Sequence, residues 1–324
     1  MNKKLRWDKM KKLLLILVIS FCFSSDLTLM FWNVENLFDQ VDDKEKKDED
    51  FLPAGNKRYT WRSYCLKNEH LAEVINKANP DCLAMVEVEN HTVLENLKRS
   101  LKHHEMWEII IDDGPDLRGI DPALMYRRDK FQYCSKQYFP IYFKDRDYHS
   151  RPIMRVDLCE LQTKDTLSIF INHWPSRRGG KQTSDPYRIY AADILIEAMR
   201  STLEEHPEYS LIITGDFNDD REDDCLRMVE DLSWVDYLVK ELPKGVKGTY
   251  YYEGEWIHFD HFLVSNFEQS NIIIENAEIF APHWIREKPS QGPLRFYKGI
   301  ETLGGYSDHY SILLNLTFKG KVVE

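Results

Sequence analysis

The chain lacks the cysteine pattern of a cross-linked or zinc-stapled fold. Of its six cysteines, Cys22 lies in the leading segment, and Cys65, Cys82, Cys134, Cys159 and Cys225 remain, an odd set with no tight spacing. That excludes a disulfide framework and a thiolate zinc site, with a single pairing left open. Cys82 and Cys159 fall in apolar strand patterns and read as core residues. Positive charge is also scarce: 43 Lys and Arg stand against 54 Asp and Glu, for a net charge of −11. Tight nonspecific binding of nucleic acid needs clustered cations that release counterions, and the balance argues against it. An enzyme needing positive charge only around a cleft is still allowed. No apolar run is long enough to span a bilayer, since residues 13–23 fall short of the ~20 a helix requires. There is no internal repeat, no low-complexity tract and no dividing linker. The one charge run, residues 42–50, reads as a solvated loop after the first strand.

What is present suits one large core. A chain of 324 residues with 43% hydrophobic and 13% aromatic content can bury a single mixed α/β domain. Strands and helices alternate, and hairpin-like strand pairs occur among them, so a mixed sheet fits better than a parallel one. At the start, Lys3, Lys4, Arg6, Lys9, Lys11 and Lys12 precede the apolar run, and the small Ser24 and Ser25 follow it. This pattern predicts a signal peptide over residues 1–24, a mature domain over 25–324 and a secreted or periplasmic protein. A retained membrane anchor is the alternative; Phe21 fits poorly before a lipidated Cys22.

Six polar clusters ride on apolar runs: Asn33-Val34-Glu35-Asn36, Glu87-Val88-Glu89-Asn90, Asn172-His173-Trp174, Gly215-Asp216-Phe217-Asn218, Asp260-His261 and Ser307-Asp308-His309. The runs are 27–32, 82–86, 167–171, 211–214 and 256–259, each before its cluster, and 311–316 after the last. Carboxylates, amides and imidazoles delivered by neighbouring strand ends can converge on a hard divalent cation and keep a histidine free for phosphate chemistry. Asn33 and Glu35 share a face at period two, as do Glu87 and Glu89 if their strand continues. Gly215 permits a sharp turn that brings Asp216 and Asn218 to one cavity; an Asx turn capping a helix near Asp223 is the structural alternative. Arg177, Arg178 and Lys181, around Gly179-Gly180, are candidate phosphate contacts or a plain surface loop. Tyr187 and Arg188 open an amphipathic helix over 185–200 and either touch substrate or pack its N-terminus.

In this order the clusters resemble the endonuclease/exonuclease/phosphatase superfamily, over about residues 27–316. That superfamily holds pancreatic-type deoxyribonucleases, abasic-site endonucleases, inositol-polyphosphate phosphatases and sphingomyelinases. Gly215–Asn218 and Ser307–His309 are the most specific pieces. Asn79-Pro80-Asp81 and Ala123-Leu124-Met125-Tyr126-Arg127 are familiar, and Asn33 to Asp39 with His173-Trp174-Pro175-Ser176-Arg177 look most like a secreted bacterial branch.

The resemblance implies a four-layer α/β sandwich, two mixed β-sheets packed face to face with helices outside. It implies a nuclease or phosphodiesterase that uses Mg²⁺, or Mn²⁺, to hydrolyse a phosphodiester by in-line attack of water. Glu87 is then the direct metal ligand. Glu35, where many relatives carry Asp, makes a second contact and Asp308 faces the metal. Asn33 and Asn218 position nucleophile or phosphate, and Asp216 activates water. Asp260 orients His309, His173 is a second acid or stabiliser, Glu89 supports the site or is inert, and His261 points away. Nucleic acid is the expected partner of a monomer with no obligate protein partner. A phosphatase or phospholipase stays open, with the 250–256 hairpin or the 283–297 loop as a lipid-facing surface, and so does an inactive binding protein. Export predicts that residues up to about Ser24 are absent from the mature protein. Intact mass of material from the periplasm or medium checks this, and an uncleaved N-terminus in membranes favours the anchor.

Overall fold

A computed structural model describes residues 24–238, 242–268 and 270–319; the expected signal segment, residues 1–23, lies outside them. Twelve strands form two six-stranded sheets. The first contains β1 (Ser24–Leu37), β2 (Cys82–Val88), β3 (Trp107–Ile110), β4 (Asp121–Arg127), β11 (Ile272–Phe280) and β12 (Ser311–Lys319), in the order β11-β12-β1-β2-β4-β3. The second contains β5 (Phe131–Phe139), β6 (Ile153–Glu160), β7 (Thr166–His173), β8 (Ser210–Asp216), β9 (Val235–Tyr237) and β10 (Asp260–Ser265), in the order β9-β10-β8-β7-β6-β5. Only β1 with β2 and β7 with β8 pair in parallel, and the other pairs run antiparallel. Each sheet is therefore mixed, as expected.

The two parallel pairs are crossover units. Helix α1 (Trp61–Ala78) links β1 to β2, and α3 (Lys181–Glu205) links β7 to β8; α2 (His91–Lys98) and α4 (Asp224–Glu230) follow them. A parallel strand covered on both faces reads as an unbroken apolar run, which is what Cys82-Leu83-Ala84-Met85-Val86 is. Along β7, Leu167, Ile169 and Ile171 face the first sheet, while Phe170 meets Leu195 and Met199 of α3. Each such buried aliphatic contributes roughly 1.5–3 kcal/mol of transfer free energy, so the seam between the sheets is the main store of stability. Thr60 caps α1 by accepting from the Ser63 amide, and left-handed Asn79 (φ 53°) ends it before Pro80. Helix α3 runs past both ends of the expected 185–200 segment. Among the described residues no helix is long and apolar enough to cross a membrane, and the five cysteines there are all free.

Two local expectations change. The 256–259 run is not the strand that delivers Asp260. Glu255–Ile257 pairs with Tyr250–Tyr252 in a separate hairpin, and Asp260 is the first residue of β10. Gly215 is not a turn residue. It lies inside β8 opposite Asn172 and His261, and a Cβ there meets Asn172 O at 2.3 Å and Asn172 Cβ at 2.6 Å. Gly215 is required by close approach of β7. Gly215→Ala is expected to cost about 1–3 kcal/mol through overpacking and to push Asp216 off its position. Urea denaturation and turnover, measured together, check both.

Candidate active site

Because β10 and β12 run opposite to their neighbours, they start at the rim where β1, β2, β7 and β8 end. All six clusters meet there. A cleft of ≈ 730 Å³ opens at this rim, with Asn33, Glu87, His173, Asp216, Asn218, Asp308 and His309 in its wall.

Asp216 is the hub. Its Oδ2 accepts from Asn33 Nδ2 at 2.9 Å and its Oδ1 from the Asn218 amide at 2.9 Å. His309 Nε2 and His173 Nε2 lie 3.7 and 3.8 Å from Oδ2. Burial lifts the Asp216 carboxyl to about 7, with His309 pulling it down and Asp260 pushing it up. A carboxylate poised near neutrality suits a general base.

His309 is the site's cation. Its Nδ1 lies 2.8 Å from Asp260 Oδ2, and Asp260 is wholly buried. Burial alone pulls the imidazole down, but Asp260, Asp216 and Asp308 outweigh it and hold it well above its ordinary value. Thr249 Oγ1 accepts from the Phe259 and Asp260 amides, and Ser307 Oγ accepts from the His309 amide while donating to Asn33 O at 2.6 Å. The Tyr250 ring lies 4.9 Å from the imidazole. Asp216, Asp260 and His309 are close enough together to suggest a cation cage. Asp260 Oδ2 is bound to His309 Nδ1 and both Asp216 oxygens accept hydrogen bonds, whereas Asp260 Oδ1 has no partner among the described residues; the bonds link the three residues into a chain suited to handling a proton.

Further carboxylates suited to a hard cation stand elsewhere in the wall. Glu87 Oε2 accepts from the Asn36 amide at 2.9 Å, leaving Oε1 free of hydrogen bonds, and Asp308 carries no protein hydrogen bond among the described residues. Two carboxylates with spare oxygen lone pairs beside a cleft fit Mg²⁺ or Mn²⁺, which take oxygen ligands.

Other expected residues are placed differently. Glu35 is absent from the cleft wall: its two carboxylate oxygens accept from the Phe296 and Tyr297 amides at 2.6 and 2.9 Å. The reason is backbone conformation. Glu35 and Asn36 are both left-handed (φ 52° and 57°), the β1–β2 register slips between Asn33 and Leu37, and this bulge turns Glu35 away from Asn33. Burial raises the Glu35 carboxyl to about 8, opposed by buried Lys67. Glu89 holds the Asp39 amide at 2.6 Å, since β2 ends at Val88.

His173 is held neutral by burial and by Arg151 and Arg118 nearby, so it offers a hydrogen bond and not the charge expected of a second acid. Its Nε2 lies 3.8 Å from Glu87 Oε1. Arg177 reaches the cleft, but its Nε donates to Asn218 O at 2.8 Å and its Nη2 pairs with Asp219 and Asp223. It braces the 216–219 turn more than it awaits substrate. Asn218 is similarly tied, donating to Trp174 O at 3.1 Å. Arg178 is exposed on the wall. His261 points to the outer side, 2.9 Å from Asp219 O, and Arg188 is fully buried against Asp219. Tyr250 and Tyr252 of the expected 250–256 hairpin do line the cleft, whereas sequence reasoning missed Arg118 and Arg151; these two stand alone near strands with no cluster to flag them.

Residues 28–318 match the profile described as Endonuclease/Exonuclease/phosphatase family. The chain belongs to this family. Its fold is similar to that of an endonuclease/exonuclease/phosphatase family protein from Bacteroides thetaiotaomicron, at 15% identity over 91% of this chain and 99% of that one, with a TM-score of 0.61. A mannosyl-6-phosphatase from the same species matches at 16% identity, 90% and 99% coverage and TM-score 0.60. Danio rerio TDP2, complexed with single-strand DNA product, matches at 15% identity, 90% and 99% coverage and TM-score 0.59. These identities show a shared fold. No curated protein matches the chain. As a member of the endonuclease/exonuclease/phosphatase family it is a phosphoric ester hydrolase, of a kind that typically depends on a divalent metal.

The Asp260–His309 pair makes a signed prediction. The folded pKa of His309 lies above its unfolded value. The pair's stabilisation is therefore fully present below about pH 6.5, the unfolded histidine value, and fades as pH rises through the folded pKa. In Asp260→Asn the imidazole should titrate at markedly lower pH by NMR, and the stability gap to the native protein should narrow toward alkaline pH. An unmoved titration excludes the pair as the cause.

Proposed function

We propose that this chain is a Mg²⁺-dependent phosphodiesterase, a nuclease in its main reading, acting outside the cytoplasm as its leader pattern suggests. The observation that carries the reaction is Asp216 held between Asn33, Asn218 and the His309–Asp260 pair, on the same wall as Glu87 and Asp308. Glu87 and Asp308 would hold the metal, which when bound supplies Lewis acidity to the phosphoryl and leaving oxygens.

The remaining work falls to the chain's own groups. Asp216 takes the proton of the attacking water, its orientation fixed by the amides of Asn33 and Asn218. His309 presents a charged Nε2 to the developing negative charge, with Asp260 fixing the ring through Nδ1. His173 adds a neutral donor beside Glu87. Burial of these groups strengthens each interaction by lowering the local dielectric.

Half-exposed Tyr252, beside Tyr250 on the rim, offers a face for base stacking, which supports nucleic acid. Glu253 and Glu255 on that rim favour the second reading, a sugar-phosphate phosphatase, because carboxylates suit sugar hydroxyls better than a polyanion. The same two charges count against the hairpin as a lipid-facing surface. The gathering of Asn33, Glu87, His173, Asp216 and His309 on one wall counts against an inactive binding protein.

Glu87→Gln keeps the shape of the side chain and removes its charge. Turnover should fall by roughly 10²-fold or more, the scale of losing one electrostatic stabiliser of the transition state, with the thermal midpoint little changed. EDTA should silence the native enzyme and Mg²⁺ or Mn²⁺ restore it, assayed on plasmid DNA, RNA, bis-p-nitrophenyl phosphate, sugar phosphates and phospholipids. Native-like activity of the variant at limiting Mg²⁺ removes Glu87 from the metal site, and hydrolysis confined to sugar phosphates selects the second reading.

A further inference from the structure

Beside the catalytic cleft lies a second cavity of ≈ 300 Å³ with no part in the reaction above. Arg146 and Ser150 line this cavity alone, whereas Arg118, Arg151 and Arg178 line both spaces, so cavity and cleft share a wall. Four guanidinium groups thus face a small volume. Asp116, 1% exposed, offsets part of that charge, lying 3.2 Å from Arg151 Nη1 and 3.6 Å from Arg118 Nε. The Arg146 guanidinium stacks 3.7 Å from the Tyr187 ring centroid and has Asp145 at 3.9 Å. Arg178 has no ion-pair partner among the described residues.

Two buried donors are left over. Arg151 is 5% exposed and Ser150 1%, yet Arg151 Nε and Ser150 Oγ have no hydrogen-bond partner among the described residues. Buried donors are almost always satisfied, and leaving one unmatched is costly. A wall rich in arginine with spare buried donors matches an oxyanion with several acceptor atoms, above all a phosphate.

We propose that this cavity is a subsite for a second phosphoryl group of the substrate, next to the one that is cut. The proposal rests on the phosphodiesterase reading and narrows it to substrates with two phosphates a few bonds apart. The second group comes from one of two sources, a neighbouring diester in a strand or a terminal phosphate on a short one.

Three thymidine probes separate the cases. TpT carries only the scissile diester, pTpT adds a terminal phosphate and TpTpT adds a neighbouring diester. For the native enzyme, kcat/KM for pTpT or TpTpT should exceed that for TpT by about tenfold or more, the scale of one charge-assisted hydrogen bond. Whichever trails identifies the source not used. Arg146, whose side chain is 49% exposed, lies outside the cleft wall, so Arg146→Ala should fold and bring the ratio down to near unity. Calorimetry with inorganic phosphate in EDTA reads the subsite without turnover, and Arg146→Ala should weaken that binding about tenfold. Equal kcat/KM for all three probes, or phosphate binding indifferent to Arg146→Ala, overturns the subsite. Arg146-dependent phosphate binding in a protein that cleaves no diester overturns the phosphodiesterase reading and leaves the subsite standing.

Discussion

The 2.9 Å hydrogen bond from Asn33 to Asp216 crosses the seam between the two sheets, since Asn33 lies in β1 of one and Asp216 ends β8 of the other. The His309–Asp260 bond crosses it too, from the segment before β12 to the start of β10. The close approach of His173 to Glu87 does the same between β7 and β2. Catalytic geometry is therefore a by-product of how the sheets dock. Away from the rim the seam is filled by apolar residues such as Leu29, Ile169 and Phe262, and at the rim polar pairs replace them. A buried polar group is tolerable only when its partner is in place, so the sheets cannot slide without stranding charge. Register and reactivity are set by the same contacts.

The electrostatics follow from that docking. A chain with net charge −11 builds an acidic floor of Asp216, Asp260, Glu87 and Asp308. Such a floor repels a phosphate unless something offsets it. His309 does so from within, kept charged despite its burial, and the arginines at 118, 151 and 178 do so from one wall. Burial, with Arg151 and Arg118 beside it, holds His173 neutral. Two imidazoles in one cleft are thus driven to opposite charge states by their neighbours, a separation of roles that enzymes commonly reach through environment.

Much of this was legible in the sequence, for a physical reason. Doubly covered parallel strands leave unbroken apolar runs, and a polar cluster ending such a run has to stand at a sheet rim; that located Asn33, Glu87, His173 and Asp216. The Asp260–His309 pairing followed from the resemblance, because nothing local joins residues 49 apart. What sequence conceals is backbone sign and spatial approach. Asn36 and Asn218 are residue types that tolerate left-handed backbone, but Glu35 and Glu87 (φ 52° and 66°) are not. A period-two reading therefore put Glu35 in the cleft when the bulge takes it out. Gly215 looked like a turn residue because a glycine's missing side chain and its free φ leave the same letter. Of the arginine wall only Arg178 was flagged, since Arg118 and Arg151 come from other loops.

The displaced Glu35 explains how the last cluster is held. Its carboxylate grips the amides of Phe296 and Tyr297, while Lys67 beneath donates to Tyr306 O at 2.8 Å, one residue before Ser307. Ser307 in turn bridges Asn33 O and the His309 amide. The segment carrying Asp308 and His309 is thereby pinned to β1 and α1 at three points before β12 begins. An aspartate at position 35, one methylene shorter, would reach less far from the same backbone. A glutamate thus fits a chain whose bulge sends this side chain toward the 296–297 loop. The left-handed strain at Glu35, of order 1–3 kcal/mol, is offset by two buried amide bonds. The result is a rigid support behind the two groups, Asp308 and His309, that must keep their places when a charged substrate arrives.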